Sequence, residues 1–228
     1  MLKRENTVKK REQIAIPKYS LAEELINSIS HGFGAIFGVA ALVLCIIVSV
    51  INESLVSLLC GITYGVSLII MYSMSTLYHA LKINKAKRVF RVLDHNGILL
   101  LIAGTYTPIL LCALVKESPV TAWVMFGVVW VAAVVMIVLN SIDLKKYKAA
   151  SMICYLMTGW EIILAFPSLI SVVEPTGIAL LVWGGIAYTV GAVIFGIGKK
   201  VKYMHSVWHF FVLAGSVLHF FSILFYIL

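Results

Sequence analysis

The strongest constraint on this chain is its division into seven long apolar segments that are separated by short polar turns. Because about 20 apolar residues in a helix cross a hydrocarbon core of about 30 Å, each segment is long enough to span a membrane. Charged residues make up 12% of the sequence, whereas an ordinary soluble domain has about 25%. The sequence therefore predicts an all-α membrane protein, a seven-transmembrane helix bundle. The predicted spans are residues 28–51, 55–81, 94–115, 120–141, 149–173, 177–197 and 203–228.

Basic residues indicate how this bundle is oriented in the membrane. Every Lys and Arg except Lys116 lies in the N-terminal segment or in every second loop, and basic loops of this kind face the cytoplasm. The pattern predicts a cytoplasmic N-terminus and an extracytoplasmic C-terminus in a multi-pass plasma-membrane protein. Residues 1–19 are predicted to be a flexible basic cytoplasmic segment, and residues 20–228 the membrane domain. The net charge of +8 is thereby attributed to orientation, and no nucleic-acid partner is expected.

Side chains that can bind a metal gather at the cytoplasmic ends of three predicted spans. His205 and His209 are four residues apart near the start of the last span, so they share one helix face. His79 lies at the end of the second span and Asp94 at the start of the third, on the same side of the membrane. Three imidazoles with an open fourth position are typical of a catalytic zinc site. Taken alone, the pair His205 and His209 also fits two interfacial histidines that anchor a helix end.

Two of the polar residues have more than one interpretation. The carboxylate of Asp94 could bind zinc directly, accept a proton from zinc-bound water, or cap the start of the third span. Ser75 lies one helical turn deeper than His79 on the same face. Its hydroxyl could form a hydrogen bond around the zinc site or bond back to its own helix.

Several motifs in the chain resemble those of one family. They are Glu24-x-x-Asn27-x-x-Ser30-His31-Gly32, Ser75-Thr-Leu-Tyr-His79, Arg91-Val-Leu-Asp94-His95-Asn-Gly97, Ala103-Gly-Thr-Tyr-Thr-Pro108, His205-x-x-x-His209 and Val217-Leu-His219-Phe220. Over about residues 20–228, the chain resembles the hemolysin III family, the bacterial members of the progestin and adipoQ receptor family. That family is grouped with the alkaline ceramidases in a wider set of membrane hydrolases.

The resemblance implies that His79, His205 and His209 bind Zn²⁺ and that Asp94 holds the zinc-bound water. It also implies a seven-helix bundle with a cytoplasmic N-terminus, in agreement with the pattern of basic residues. With Asp94 and Ser75 as the candidate catalytic residues, we expect a zinc-dependent hydrolase whose substrate is a membrane lipid or a lipid-like amide or ester in the inner leaflet. Two alternatives stay open. One is a pore-forming cytolysin, as the family's name suggests, and the other is a sensor or regulator of membrane state in which zinc is structural.

Three further polar residues lie within the predicted spans. Glu161, in the fifth span, is expected to face the bundle interior, where it could pair with His219. His219 lies fourteen residues beyond His205, or about 21 Å along a helix, which is too far to join the zinc. His31 lies near the inner end of the first span, and we expect it to pack or form a hydrogen bond near the zinc site.

Overall fold

The computed structural model describes residues 16, 17, 19–197 and 201–228. Within these residues the secondary structure is helical and contains no strand, which confirms the predicted all-α architecture. The predicted flexible basic segment, residues 1–19, falls mostly outside the described part of the chain.

Seven α-helices follow one another in the described part of the chain. They are α1 (Leu21–Ile51), α2 (Leu55–Ala80), α3 (Lys85–Pro108), α4 (Pro119–Gly159), α5 (Phe166–Ile170), α6 (Pro175–Ile197) and α7 (Met204–Tyr226). A π-helical turn, Ile109–Ala113, and a 3₁₀ turn, Leu114–Lys116, extend α3. A second 3₁₀ turn, Glu161–Ala165, joins α4 to the short α5.

Six helical segments in the described residues are long and apolar enough to cross a membrane, one fewer than the sequence predicts. They are Leu21–Ile51, Leu55–Ala80, Lys85–Lys116, Pro119–Ile170, Pro175–Gly196 and Met204–Tyr226. The difference arises because the fourth and fifth predicted spans form one helical segment, Pro119–Ile170.

That long segment folds back on itself at Asp143. The backbone there leaves the helical region, with φ −156° and ψ 88°. The hydroxyl of Ser151 donates a hydrogen bond to Asn140 Oδ1 at 2.7 Å, although the two residues would be about 16 Å apart on a straight helix. Both arms of α4 also contact the same part of α3. Asn140 donates to Asn96 Oδ1 at 3.1 Å, and Tyr155 donates to the carbonyl of His95 at 2.9 Å.

Capping residues explain where α1 and α3 begin. Ser20 and Glu23 form a capping box, in which the Glu23 amide donates to Ser20 Oγ and the Ser20 amide donates to the Glu23 carboxylate. Asn84 caps α3 by accepting a hydrogen bond from the Lys87 amide at 2.9 Å. Asp94 therefore lies inside α3 instead of at its start, and the interpretation of Asp94 as a helix cap is wrong.

Close packing at small residues brings α1 against α2. A Cβ at Gly34 would collide with the ring of Tyr72, and one at Gly38 would lie 3.1 Å from the Ile69 amide nitrogen. The two helices therefore approach more closely than larger side chains would allow. This approach brings the polar face of α1 to the C-terminal end of α2, where His79 lies.

The interior of the bundle combines an apolar core with many buried polar side chains, and large apolar side chains cover its outer surface. Buried polar residues include Asn27, His31, Ser75, His79 and His209. Large apolar side chains such as those of Ile36, Val131 and Trp183 are instead exposed on the outer surface. This distribution suits a lipid environment, because hydrocarbon solvates apolar side chains and leaves polar groups to pair within the protein.

Candidate metal centre

Three histidines from two helices meet at one point. His79 belongs to the last turn of α2, and His205 and His209 belong to the first two turns of α7. The Nε2 atom of His205 lies 3.2 Å from that of His79 and 3.2 Å from that of His209. Adjacent ligands of a tetrahedral zinc, each about 2.0–2.1 Å from the ion, are about 3.3–3.4 Å apart. The predicted convergence of the three imidazoles is therefore present, with spacing that fits a single metal ion.

A carboxylate on α1 sets the orientation of His79. The Nδ1 atom of His79 lies 2.7 Å from Glu24 Oε2. An ionised carboxylate can only accept hydrogen bonds, so Nδ1 carries the hydrogen and donates it to Glu24. The lone pair of the neutral ring is then on Nε2, which faces the other two histidines. This carboxylate–histidine arrangement is one that commonly orients metal ligands.

A serine on α1 orients His209 in a similar way. The hydroxyl of Ser30 donates its hydrogen to the carbonyl of Asn27 at 3.1 Å, which leaves its oxygen to accept. The Nδ1 atom of His209 lies 3.4 Å from that oxygen and is the available donor. As in His79, the Nε2 lone pair is directed at the common point.

The third candidate ligand, His205, is held by packing. Tyr19 stacks on its ring, with 5.0 Å between the ring centroids and 14° between the planes. Burial raises the pKa of the Tyr19 phenol, so this neighbour is a neutral ring. The Nδ1 atom of His205 has no hydrogen-bond partner among the described residues.

Sequence reasoning did not predict the roles of these α1 residues. Glu24, Asn27 and Ser30 entered only as part of the family resemblance. The signal that points to them is their spacing of three residues, which places them on one helix face. They also lie at the same end of the bundle as His79.

His31 packs directly on the centre. Its ring stacks on that of His209 with a centroid distance of 3.6 Å and meets the edge of Tyr72 at 5.0 Å. Neither ring nitrogen of His31 has a hydrogen-bond partner in the described part of the chain. The expected packing role near the site is therefore confirmed.

The suggested pair between Glu161 and His219 is wrong. His219 Nε2 instead donates to the carbonyl of Leu181 at 3.0 Å. One carboxylate oxygen of Glu161 has no partner among the described residues. His219 is also absent from the three-histidine cluster, as its distance along the helix predicts.

A cavity of about 150 Å³ extends from the metal centre into the bundle. His205, His209, Ser75 and Asp94 line one part of it, and His219 lies in the lining further along α7. The span from His205 to His219 corresponds to about 21 Å of helix. Most of the remaining lining is apolar, including Ile98, Leu101, Ile102, Leu156, Trp208 and Val212.

The structure brings both predicted catalytic residues to this cavity. Ser75 is 1% exposed, and its hydroxyl has no hydrogen-bond partner in the described residues, so the interpretation that it bonds back to its own helix is wrong. The carboxylate of Asp94 lies 3.7 Å from His95 Nδ1. Asp94 is not part of the cluster whose ligand atoms all lie within 4.8 Å of one another. Asp94 therefore lies in the cavity wall, outside the three-histidine cluster.

Comparisons with known proteins agree with the motifs. The family described as haemolysin-III related matches residues 19–220. Hemolysin-3 of Bacillus cereus is 39% identical over 206 residues, which cover 90% of this chain and 92% of that protein. A hemolysin-3 homolog of Bacillus subtilis strain 168 is 38% identical over 91% of this chain and 96% of its own length. The human monocyte to macrophage differentiation factor is 26% identical over 70% of this chain and 67% of its own length.

Proposed function

We propose that this chain, which belongs to the haemolysin-III related family of multi-pass plasma-membrane proteins, is a zinc-dependent hydrolase of lipid-like amides or esters. The observation that carries the proposal is the placement of three converging imidazoles beside an apolar cavity that Asp94 and Ser75 also line. The cavity connects a polar, metal-binding end to a long apolar interior. A lipid has the same division into a polar head and an apolar chain.

The donor set fits zinc. His79, His205 and His209 would hold the ion through Nε2, because Glu24 and Ser30 occupy the Nδ1 side of two of the rings. Three neutral nitrogen ligands leave a fourth tetrahedral position open, as in catalytic zinc sites. When bound there, zinc supplies a Lewis acid that polarises a carbonyl and activates water.

Two of the other polar residues that line the cavity, Asp94 and Ser75, have complementary roles in this proposal. The carboxylate of Asp94 accepts the proton of the attacking water, since it faces the cavity without belonging to the ligand cluster. The hydroxyl of Ser75 has no partner in the described residues and can donate a hydrogen bond to the scissile carbonyl oxygen. The polar end of the cavity thereby orients the bond to be cleaved.

The shape of the cavity supports a lipid-like substrate. About 21 Å of helix separates the metal-centre end from His219, more than the roughly 15 Å thickness of half a hydrocarbon core. An acyl chain can extend along this apolar lining while its amide or ester bond lies at the histidines. Water-soluble substrates would gain little from such a lining.

We also propose seven membrane crossings with a cytoplasmic N-terminus. A straight helix of the 52 residues in Pro119–Ile170 would be about 78 Å long, far more than a bilayer needs. The reversal at Asp143 supports two crossings in this segment. The concentration of basic residues in every second loop supports the orientation.

Reporter fusions test this topology. A reporter in the loop at residues 82–84 should be cytoplasmic, and one fused after Leu228 should be extracytoplasmic, because five crossings separate the two positions if α4 contributes two. Four crossings would separate them if the Pro119–Ile170 segment crossed only once. Finding both reporters on the same side would therefore contradict the seven-crossing proposal.

The hydrolase proposal is tested with purified protein and long- and short-chain lipid amides and esters. Turnover should disappear when zinc is removed and return when it is restored. Gly185 lines the cavity, and a Cβ there meets Trp160 at 3.5 Å, so Gly185→Leu should fill the apolar part. We expect this variant to lower turnover of long-chain substrates by roughly 10- to 100-fold and to spare short-chain ones.

Gly196→Leu is the matched control for this experiment. Gly196 lies on the same helix, and a Cβ there would meet nothing within 4 Å, so turnover of all substrates should be unchanged. Bound zinc without turnover of any lipid would favour the sensor. Leakage of dye from liposomes, with no hydrolysis, would favour the cytolysin suggested by the names of the Bacillus relatives.

A further inference from the structure

We propose that Lys87 is a positioning residue for the metal centre, and that it acts through Glu24 on His79. The inference rests on the proposed metal-binding role of the three histidines and does not depend on which bond the protein cleaves. Lys87 belongs to the first turn of α3, and the motifs that carry the family resemblance do not include it.

The contacts form a continuous bridge across three helices. The Lys87 Nζ atom donates to Glu24 Oε1 at 2.6 Å. The other carboxylate oxygen of Glu24, Oε2, accepts the hydrogen of His79 Nδ1 at 2.7 Å. The two oxygens of the Glu24 carboxylate thus accept hydrogen bonds from two different residues. Because both oxygens belong to one rigid group, a movement that breaks one of these hydrogen bonds also displaces the other oxygen.

The burial of Lys87 is the unusual feature. Its side chain is one of the few charged groups inside the bundle, and the residue is only 1% exposed. A buried ammonium group is strongly unfavourable unless it is paired and hydrogen-bonded. Here Nζ also donates to the carbonyl of Leu81 at 2.9 Å and lies 5.2 Å from the centre of the Tyr78 ring. A lysine with this many partners has a fixed side chain, and its ammonium group does not extend into solvent.

The location of these partners explains what the bridge does. Leu81 caps the C-terminus of α2, where a positive charge is favoured by the unpaired helix carbonyls. His79 is in the last turn of the same helix. Lys87 therefore fixes the position of Glu24 relative to the last turn of α2, which carries His79. Glu24 then holds the His79 ring so that its Nε2 atom is directed at the metal centre.

The same turn of α1 also holds the other ligand helix. Glu23, next to Glu24, accepts a hydrogen bond through Oε1 from the backbone amide of Tyr203 at 2.9 Å. Tyr203 has a positive φ of 65° and directly precedes α7. One turn of α1 thus connects the end of α2, the start of α3 and the start of α7, which are the segments that set the geometry of the three histidines.

Zinc affinity tests the proposal, and Lys87→Met is the main variant. Methionine keeps an unbranched side chain but removes the charge and the donors. We expect the zinc Kd, measured by competition with a chelator, to rise by about 10- to 100-fold, the usual effect of losing an outer partner of a metal ligand. The visible absorption of the cobalt-substituted protein should also change, because it reports the arrangement of the ligands. The exposed residue Lys85, on the same helix turn, supplies the control Lys85→Met, which should match the wild type in both measurements.

A double variant keeps the test decisive if Lys87→Met does not fold. Glu24→Gln/Lys87→Met removes both charges of the ion pair and so leaves neither unpaired. We expect it to fold, to show a weaker zinc affinity and to have an altered cobalt spectrum. Wild-type affinity and spectrum in either folded variant would overturn the role of Lys87 while leaving the proposed hydrolase intact. Failure of the wild-type protein to bind zinc would overturn both.

Discussion

Replacing Asp94 with Asn should abolish hydrolysis while zinc stays bound. In the proposed site three histidines supply the protein ligands, and Asp94 lies in the cavity wall outside that cluster. Asparagine has nearly the same shape but cannot act as a base. Loss of a general base typically lowers the rate by about 10²- to 10⁴-fold. Zinc content and turnover should be measured on the same purified sample, so that loss of metal and loss of chemistry are distinguished.

The structure makes Asp94→Asn a clean test, because Asn84 and not Asp94 caps α3. The fold should therefore tolerate the substitution. Glu117→Gln removes a carboxylate from an exposed position outside the cavity and is the matched control, with turnover expected to equal that of the wild type. If Asp94→Asn lost its zinc, Asp94 would be a fourth ligand. Undiminished turnover would mean that a different group accepts the proton.

Replacing His205 with Ala should remove most of the bound zinc. The Nε2 atom of His205 lies 3.2 Å from the corresponding atoms of both His79 and His209. Its loss leaves two candidate ligand nitrogens and removes the one that lies next to both of the others. The fall in affinity should exceed the roughly 10- to 100-fold change expected for an outer partner. His79→Ala and His209→Ala should have the same effect. Metal content after dialysis against a weak chelator is the measurement.

His219→Ala is the control for the ligand variants. It removes another histidine of α7. The ring of His219 contacts Leu181 and not the metal centre. Its zinc content should equal that of the wild type. A protein that kept its zinc in His205→Ala but lost it in His219→Ala would show that the ligands are assigned to the wrong histidines.

The sequence by itself determined the class of fold and identified the three histidines that are the candidate metal ligands. Apolar segments long enough to cross a bilayer, with few charges, predict membrane helices from composition and length alone. The capping box at Ser20 and Glu23 predicts the start of α1 from local chemistry. The spacing of His205 and His209 predicts a shared face from the helical repeat. Each of these properties depends on residues that are close in the sequence, so it can be read before the chain is folded.

Only the tertiary structure decided how these parts meet. The contacts of Glu24 with His79 and Lys87, and of Ser30 with His209, join residues far apart in the sequence. They depend on the rotation of each helix about its axis and on how closely α1 approaches α2. Neither quantity follows from periodicity or hydropathy, because these describe one helix at a time.

The same reason accounts for the sequence interpretations that were wrong. Asp94 is not a helix cap because α3 begins earlier in the chain, where Asn84 caps it. Which of two possible residues caps a helix depends on which backbone amides lack a hydrogen-bond partner within the helix. Glu161 and His219 do not pair, because equal depth in a membrane does not place two side chains on facing sides of their helices. The reversal of α4 at Asp143, by contrast, lies in the polar stretch that the sequence predicts between its fourth and fifth spans. Local sequence determines the helices of this protein, and the contacts between helices determine the geometry of the candidate metal centre.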